Sequence, residues 1–117
     1  MTTMTTISHY LELNGKRYLL SDSNHLLDLT SWDDQIRDYI AEELHIKLSE
    51  DHIKVIELIR ESYKTRRKHP FVRVVTADMA KKMGQEKGTM RYFYDLFPKG
   101  IHQAFQVAGL PMQGFCF

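Results

Sequence analysis

The sequence predicts a mainly helical protein that opens with a small β-hairpin. Three observations carry that expectation. An Asn14-Gly15 pair sits between two short apolar stretches; apolar residues recur at helical spacing from Trp32 to Ala108; and Ser, Gly and Pro stand where those periodic stretches begin and end. Asn-Gly is a strong hairpin signal because both turn positions accept positive φ. Spacing of three to four residues places side chains on one helix face. At 117 residues, 43% hydrophobic and 11% aromatic, the chain fits one domain with a modest core. The predicted divisions are a polar tail over 1–8, one hairpin-plus-helix domain over 9–109, and an arm over 110–117.

The elements follow in order. Tyr10, Leu11 and Leu13 lead into the turn, and Tyr18, Leu19 and Leu20 leave it. Ser21-Asp22-Ser23-Asn24 is a second turn, with a short extended piece from His25 to Leu29. A lone hairpin is marginal in water, so it must pack on the helices. Trp32, Ile36, Ile40 and Leu44 form the stripe of a first helix. Thr30 or Ser31 is its expected cap, with Asp33 and Asp34 at its positive end. Ser49 caps a second helix with the stripe Ile53, Ile56, Ile59 and Tyr63 and a favourable Glu50–Lys54 spacing. Pro70 stops that helix after the basic run Lys64-Thr65-Arg66-Arg67-Lys68-His69. Val72, Val75, Met79 and Met83 mark a third helix ended by Gly84. Gly88-Thr89 opens a fourth, with Met90, Phe93, Tyr94 and Phe97 and then Pro98; a fifth runs from Ile101 to Ala108 and ends at Gly109. Pro111 and Gly114 oppose regular structure beyond it.

Composition excludes several classes. No apolar run approaches the roughly 20 residues of a membrane-spanning helix. The start, Met1-Thr2-Thr3-Met4-Thr5-Thr6, lacks the basic and apolar regions of a secretory signal. A cytoplasmic protein with a reduced thiol is the expectation. The net charge of +1 conceals an asymmetry: residues 1–51 carry 4 Lys/Arg against 10 Asp/Glu, and residues 52–117 carry 12 against 5. Such a split marks acidic and basic docking faces, or two halves that neutralise each other on packing. The six histidines lack metal-ligand spacing, and no serine triad order, P-loop or dinucleotide loop is present, so no metal or cofactor is expected. The third and fourth helices outline a helix-turn-helix, but the fourth has one Arg and is too apolar to read base edges.

The candidate chemistry sits at one thiol. Cys116 is the single cysteine, which excludes any intramolecular disulfide or cysteine-rich zinc site. It stands on a segment with Gly109, Pro111 and Gly114, and seven extended steps from Gly109 span about 23–25 Å. A thiolate on such an arm reaches another protein's active site, as sulfur carriage through a persulfide requires. A neighbouring carboxylate disfavours thiolate, so activation must come from the folded body or a partner. The plainer reading, a small buried apolar residue, is harder to arrange at this place. Phe115 and Phe117 are candidate anchors, for the body or for a partner. Arg66, Arg67 and Lys68 are candidate docking residues for phosphate or an acidic partner surface, or simply a solvated helix end.

Gly88-Thr89-Met90-Arg91-Tyr92-Phe93-Tyr94-Asp95-Leu96-Phe97-Pro98-Lys99-Gly100, Ala108-Gly109-Leu110-Pro111 and Cys116 together resemble the DsrC/TusE family of small sulfur-trafficking proteins. The resemblance extends from the hairpin to the C-terminal residues. It implies an orthogonal helical bundle with an N-terminal hairpin and a mobile C-terminal arm, with Cys116 as the sulfur-bearing residue. The sulfite-reductase branch has a second cysteine where this chain has Phe105, so that branch's internal disulfide and trisulfide chemistry is excluded. Ile101, where the family often has Pro, is a lesser departure. The single cysteine fits the TusE branch. This implies a persulfide relay in wobble-uridine thiolation, from a TusBCD-type donor to an MnmA-type thiouridylase, with tRNA contacted indirectly. A non-catalytic interaction or regulatory protein of the same family is the competing expectation.

Overall fold

Asn14 and Gly15 both take positive φ, +50° and +83°, and close the hairpin as the sequence predicts. A computed structural model gives the fold and describes residues 8–21 and 24–111. Strand β1 (Ser8–Leu13) pairs antiparallel with β2 (Lys16–Ser21), with Leu11 opposite Tyr18 and Leu13 opposite Lys16. Strand β2 is the inner strand: Tyr18 and Leu20 are fully buried, whereas Tyr10 on β1 is exposed. Leu26 forms an isolated antiparallel bridge to Leu20, so the extended piece after the second turn is brief. It gives way to a 3-10 turn, Leu29–Ser31, capped by Asp28.

The helices are α1 (Asp34–Glu43), α2 (Glu50–Arg66), α3 (Val72–Met83), α4 (Met90–Leu96) and α5 (Ile101–Val107), with a second 3-10 turn at Gln85–Lys87. Asp33 caps α1 by accepting from the Ile36 N–H at 3.0 Å. The expected caps, Thr30 and Ser31, are instead bound to the Asp28 carboxylate in the preceding turn. Trp32 also falls outside α1. Its φ of −62° and ψ of 136° are extended, which takes it off the Ile36/Ile40 stripe.

Ser49 caps α2 as expected, and His52 completes a reciprocal capping box. His52 Nδ1 accepts from the Ser49 N–H at 3.1 Å, so Nε2 carries the hydrogen that Leu96 O accepts at 2.8 Å. One side chain therefore closes a helix start and ties α2 to α4. The buried face of α2 is His52, Val55, Ile56, Ile59 and Ser62, rotated from the predicted stripe, and Ile53 is only half-buried. Gly84 ends α3 and Thr89 caps α4, both as predicted. Gly88 is required by close approach: a Cβ there would lie 2.4 Å from Ala80 Cβ. Phe93 and Phe97 enter the core, but Met90 and Tyr94, on the same apolar pattern, are exposed.

One core joins hairpin and helices, from Tyr18 and Leu20 through Ile36, Ile40, Ile56, Ile59 and Met79 to Phe93, Phe97 and α5. Each such side chain, fully buried, contributes about 1.5–3 kcal/mol. The hairpin is latched by Tyr18, whose hydroxyl donates to the Asp33 carboxylate at 2.8 Å and accepts from Gln35 Nε2 at 2.9 Å.

Candidate functional site

The predicted reactive residue, Cys116, and its neighbours Phe115 and Phe117 lie outside the described residues, as does most of the predicted arm. The structure does place the point from which they depart. Helix α5 ends in a Schellman turn: the Gly109 N–H donates to Gln106 O and the Leu110 N–H to Phe105 O, both at 3.1 Å. Gly109 has φ of +76°, and a Cβ added there would lie 2.2 Å from Trp32 Cδ1. Glycine is required here for two reasons, backbone conformation and contact with the indole.

Two side chains then satisfy carbonyls that the end of the helix leaves open, and a third binds a carbonyl just beyond it. Trp32 Nε1–H donates to Val107 O at 3.0 Å. The Arg60 guanidinium lies 4.0 Å over the Trp32 ring and donates to Ala108 O at 2.7 Å. Burial lowers the Arg60 pKa from its ordinary value, a cost that the ring and the carbonyl offset. His69 Nε2 lies 2.8 Å from Pro111 O; a carbonyl only accepts, so that nitrogen carries a hydrogen. The His69 ring packs edge-on against Tyr63 and Phe105, with centroids 5.3 and 4.9 Å away.

The last described residues are therefore held to the body. Of the arm expected over 110–117, the first two residues are described: Leu110 is 1% exposed and Pro111 is bound by His69. Cys116 follows Pro111 by five Cα steps, so covalent geometry keeps it within about 18 Å of that anchor. Trp32, Arg60 and His69 form a clamp that the sequence does not announce: Trp32 follows the stripe of the first helix, His69 ends a basic run, and Arg60 has no local signature.

Phe105 stands on α5, 5% exposed, with its ring also edge-on to His102 at 5.9 Å. An aromatic side chain thus fills the place where the resemblance puts a second thiol. Arg66 is the last residue of α2, Arg67 caps it in the left-handed region at φ of +60°, and Lys68 follows; all three are exposed. The ion pairs among the described residues lie elsewhere, at Lys16–Asp33, Arg37–Asp34, Arg37–Asp38 and Lys87–Asp51. No helix among the described residues is long and apolar enough to cross a membrane.

The geometry defines a class: a small helical body, edged by a hairpin, that fixes the foot of a short thiol-bearing segment. Comparison with known proteins gives the family. The family described as DsrC-like protein matches residues 12–117. The sulfurtransferase TusE of Pectobacterium atrosepticum is 37% identical over 107 residues, 91% of this chain and 98% of the relative. TusE of Salmonella typhimurium is also 37% identical over the same shares. Among solved structures, Allochromatium vinosum DsrC matches with a TM-score of 0.83 at 35% identity, over 95% of this chain and all of that one. The oxidised gamma-subunit of dissimilatory sulfite reductase from Archaeoglobus fulgidus matches at 0.81 and 29% identity, over 93% of this chain and all of that one. The chain belongs to the DsrC-like family.

Proposed function

We propose that this protein is a relay sulfurtransferase that carries sulfane sulfur on Cys116. The observation that carries the reading is the near full-length likeness to proteins named sulfurtransferase TusE, in a chain whose one cysteine is Cys116. The Cys116 thiolate attacks the terminal sulfur of a donor persulfide. A sulfur–sulfur bond forms on Cys116, the donor's sulfur–sulfur bond breaks, and the donor leaves as a thiolate. An acceptor cysteine thiolate then attacks the terminal sulfur on Cys116, which returns to thiolate. Each exchange conserves electrons, so no outside oxidant or reductant is consumed. With Phe105 where the sulfite-reductase branch has its second cysteine, the chain has no internal thiol with which to release the sulfur, and both exchanges run between proteins.

The finer assignment rests on the TusE likeness. The donor is a TusBCD-type complex, the acceptor is an MnmA-type thiouridylase, and the product is 2-thiouridine at the tRNA wobble position. The protein works in the cytoplasm and meets tRNA through the acceptor enzyme. The body is residues 9–109, with Leu110 and Pro111 as the bound foot of the reactive segment. Reconstitution with a desulfurase, the donor, the thiouridylase and tRNA tests this. Omitting the protein, or supplying Cys116→Ser, is expected to abolish relay-dependent thiolation. Full thiolation with Cys116→Ser would leave a non-catalytic partner of the pathway as the remaining reading.

A further inference from the structure

Two of the grooves among the described residues flank α3. The larger, between α2 and α3 and about 690 Å³, balances Lys54, Arg66 and Lys82 against Glu57, Glu61 and Asp78. The other, about 460 Å³, lies where the starts of α3 and α4 meet α5 and has a different character. Among the described residues, Phe71, Val72, Met90, Ile101 and Phe105 line it, the charged or titratable side chains in its wall are Arg73 and His102, and no carboxylate contributes. Phe71 is 67% exposed and Met90 47%, a large apolar surface left open to water beside Arg73.

This second groove adjoins the foot of the reactive segment. Phe105, in its wall, packs on His69, and His69 holds Pro111. Cys116 follows that anchor by five residues and is confined to about 18 Å from it. A protein that exchanges sulfur with Cys116 must therefore present its own thiol within this short radius. The open apolar surface adjoining the anchor is the Phe71–Met90 groove, and the basic stretch Arg66-Arg67-Lys68 runs into it through His69 and Pro70.

Resting on the relay function proposed above, we infer that this groove is the docking surface for the sulfur-exchanging protein. The matching partner chemistry is an apolar side chain that seats between Phe71 and Met90, flanked by carboxylates that meet Arg73 and His102. Aromatic and Arg side chains are the usual energetic centres of such contacts, and complementary charge speeds encounter. Docking here places the partner's thiol inside the reach of Cys116 with no rearrangement of the body.

The test separates binding from chemistry. The full-length protein and the variants Phe71→Ala, Arg73→Glu and the two combined are titrated against purified donor complex and against purified thiouridylase, each by calorimetry and by single-turnover sulfur transfer. Both sites are exposed, so these changes leave the core intact, and thermal melting checks it. The combined variant is expected to weaken binding of at least one partner about tenfold or more, with the transfer rate at saturating partner unchanged. Cys116→Ser is expected to bind normally and transfer nothing. If wild type binds but takes no sulfur, the relay reading fails while the binding arm still decides the groove. Affinities within about twofold of wild type for both partners in the combined variant overturn the inference. Two other occupants also overturn it. Tighter partner binding after removal of residues 112–117 means that the chain's own end fills the groove; a dimer in sedimentation that Phe71→Ala dissolves means that a second copy does.

Discussion

Gly109 joins the last helix to the residues that lead to Cys116, and its requirement is unusually strict. Positive φ disfavours any side chain, and the Trp32 indole occupies the space a Cβ would need. Gly109→Ala is expected to cost about 1–3 kcal/mol of stability in denaturant titration, from the backbone strain alone. Transfer through Cys116 should slow further than the stability loss explains, because the anchor itself is displaced. Tyr18 is a comparable latch at the other end of the chain. Tyr18→Phe removes a part-buried hydroxyl that donates to a carboxylate at 2.8 Å, and a loss of about 1.5–3 kcal/mol is expected. These residues differ in how far the sequence reveals them. Ser49, Gly84 and Thr89 were legible because a cap is recognised from its own identity and its next few neighbours. Trp32, Arg60 and His69 were not, because their partners lie 75, 48 and 42 residues away. Nothing local distinguishes an Arg that binds a helix end from one that faces solvent.

Between elements, α2 is the organising member. Its start holds α4 through His52, its length supports α3 and α5, and Arg60 within it reaches the end of α5. Asp51, in its first turn, accepts from the Tyr92 hydroxyl and from Lys87 Nζ, tying α2 to α4 and the 3-10 turn before it. Those hydrogen bonds, Tyr92 first and then Lys87, hold the Asp51 carboxyl below its ordinary value of 3.8, against the opposing effect of burial. A depressed carboxylate stabilises the fold above the unfolded pKa and loses that contribution as pH falls through the folded value. Asp51→Asn is therefore expected to lower the melting temperature at neutral pH. The gap from wild type should close as pH drops below about 4. A gap that persists at low pH would assign the effect to packing instead. The helix faces show why patterning placed the elements but not their exact orientation. In α2 the buried set includes His52 and Ser62, polar residues that no hydrophobic stripe would select. In α4, Met90 and Tyr94 follow the apolar pattern yet are exposed, and Met90 lines the groove proposed for docking.

At the scale of the molecule, the proposal joins the clamped foot and the uneven charge in one carrier that meets its partners at one end. The basic half of the sequence supplies Arg66, Arg67, Lys68 and Arg73, all exposed near the anchor in sequence or space. Arg66→Glu with Arg67→Glu is expected to weaken association with the donor or acceptor and to flatten its dependence on ionic strength, since exposed charges act over a Debye length of about 8–10 Å. Unchanged affinity and salt dependence would make that stretch a solvated helix end. Sulfur carriage comes down to one atom, the sulfur of Cys116, and is decided by peptide mass spectrometry of the protein after incubation with a persulfide-loaded donor. The expected result is a mass gain of one sulfur atom on the peptide containing Cys116, removed by thiol reductant and absent from Cys116→Ser. A gain that persists in Cys116→Ser, or no gain on wild type while the donor stays loaded, would contradict it.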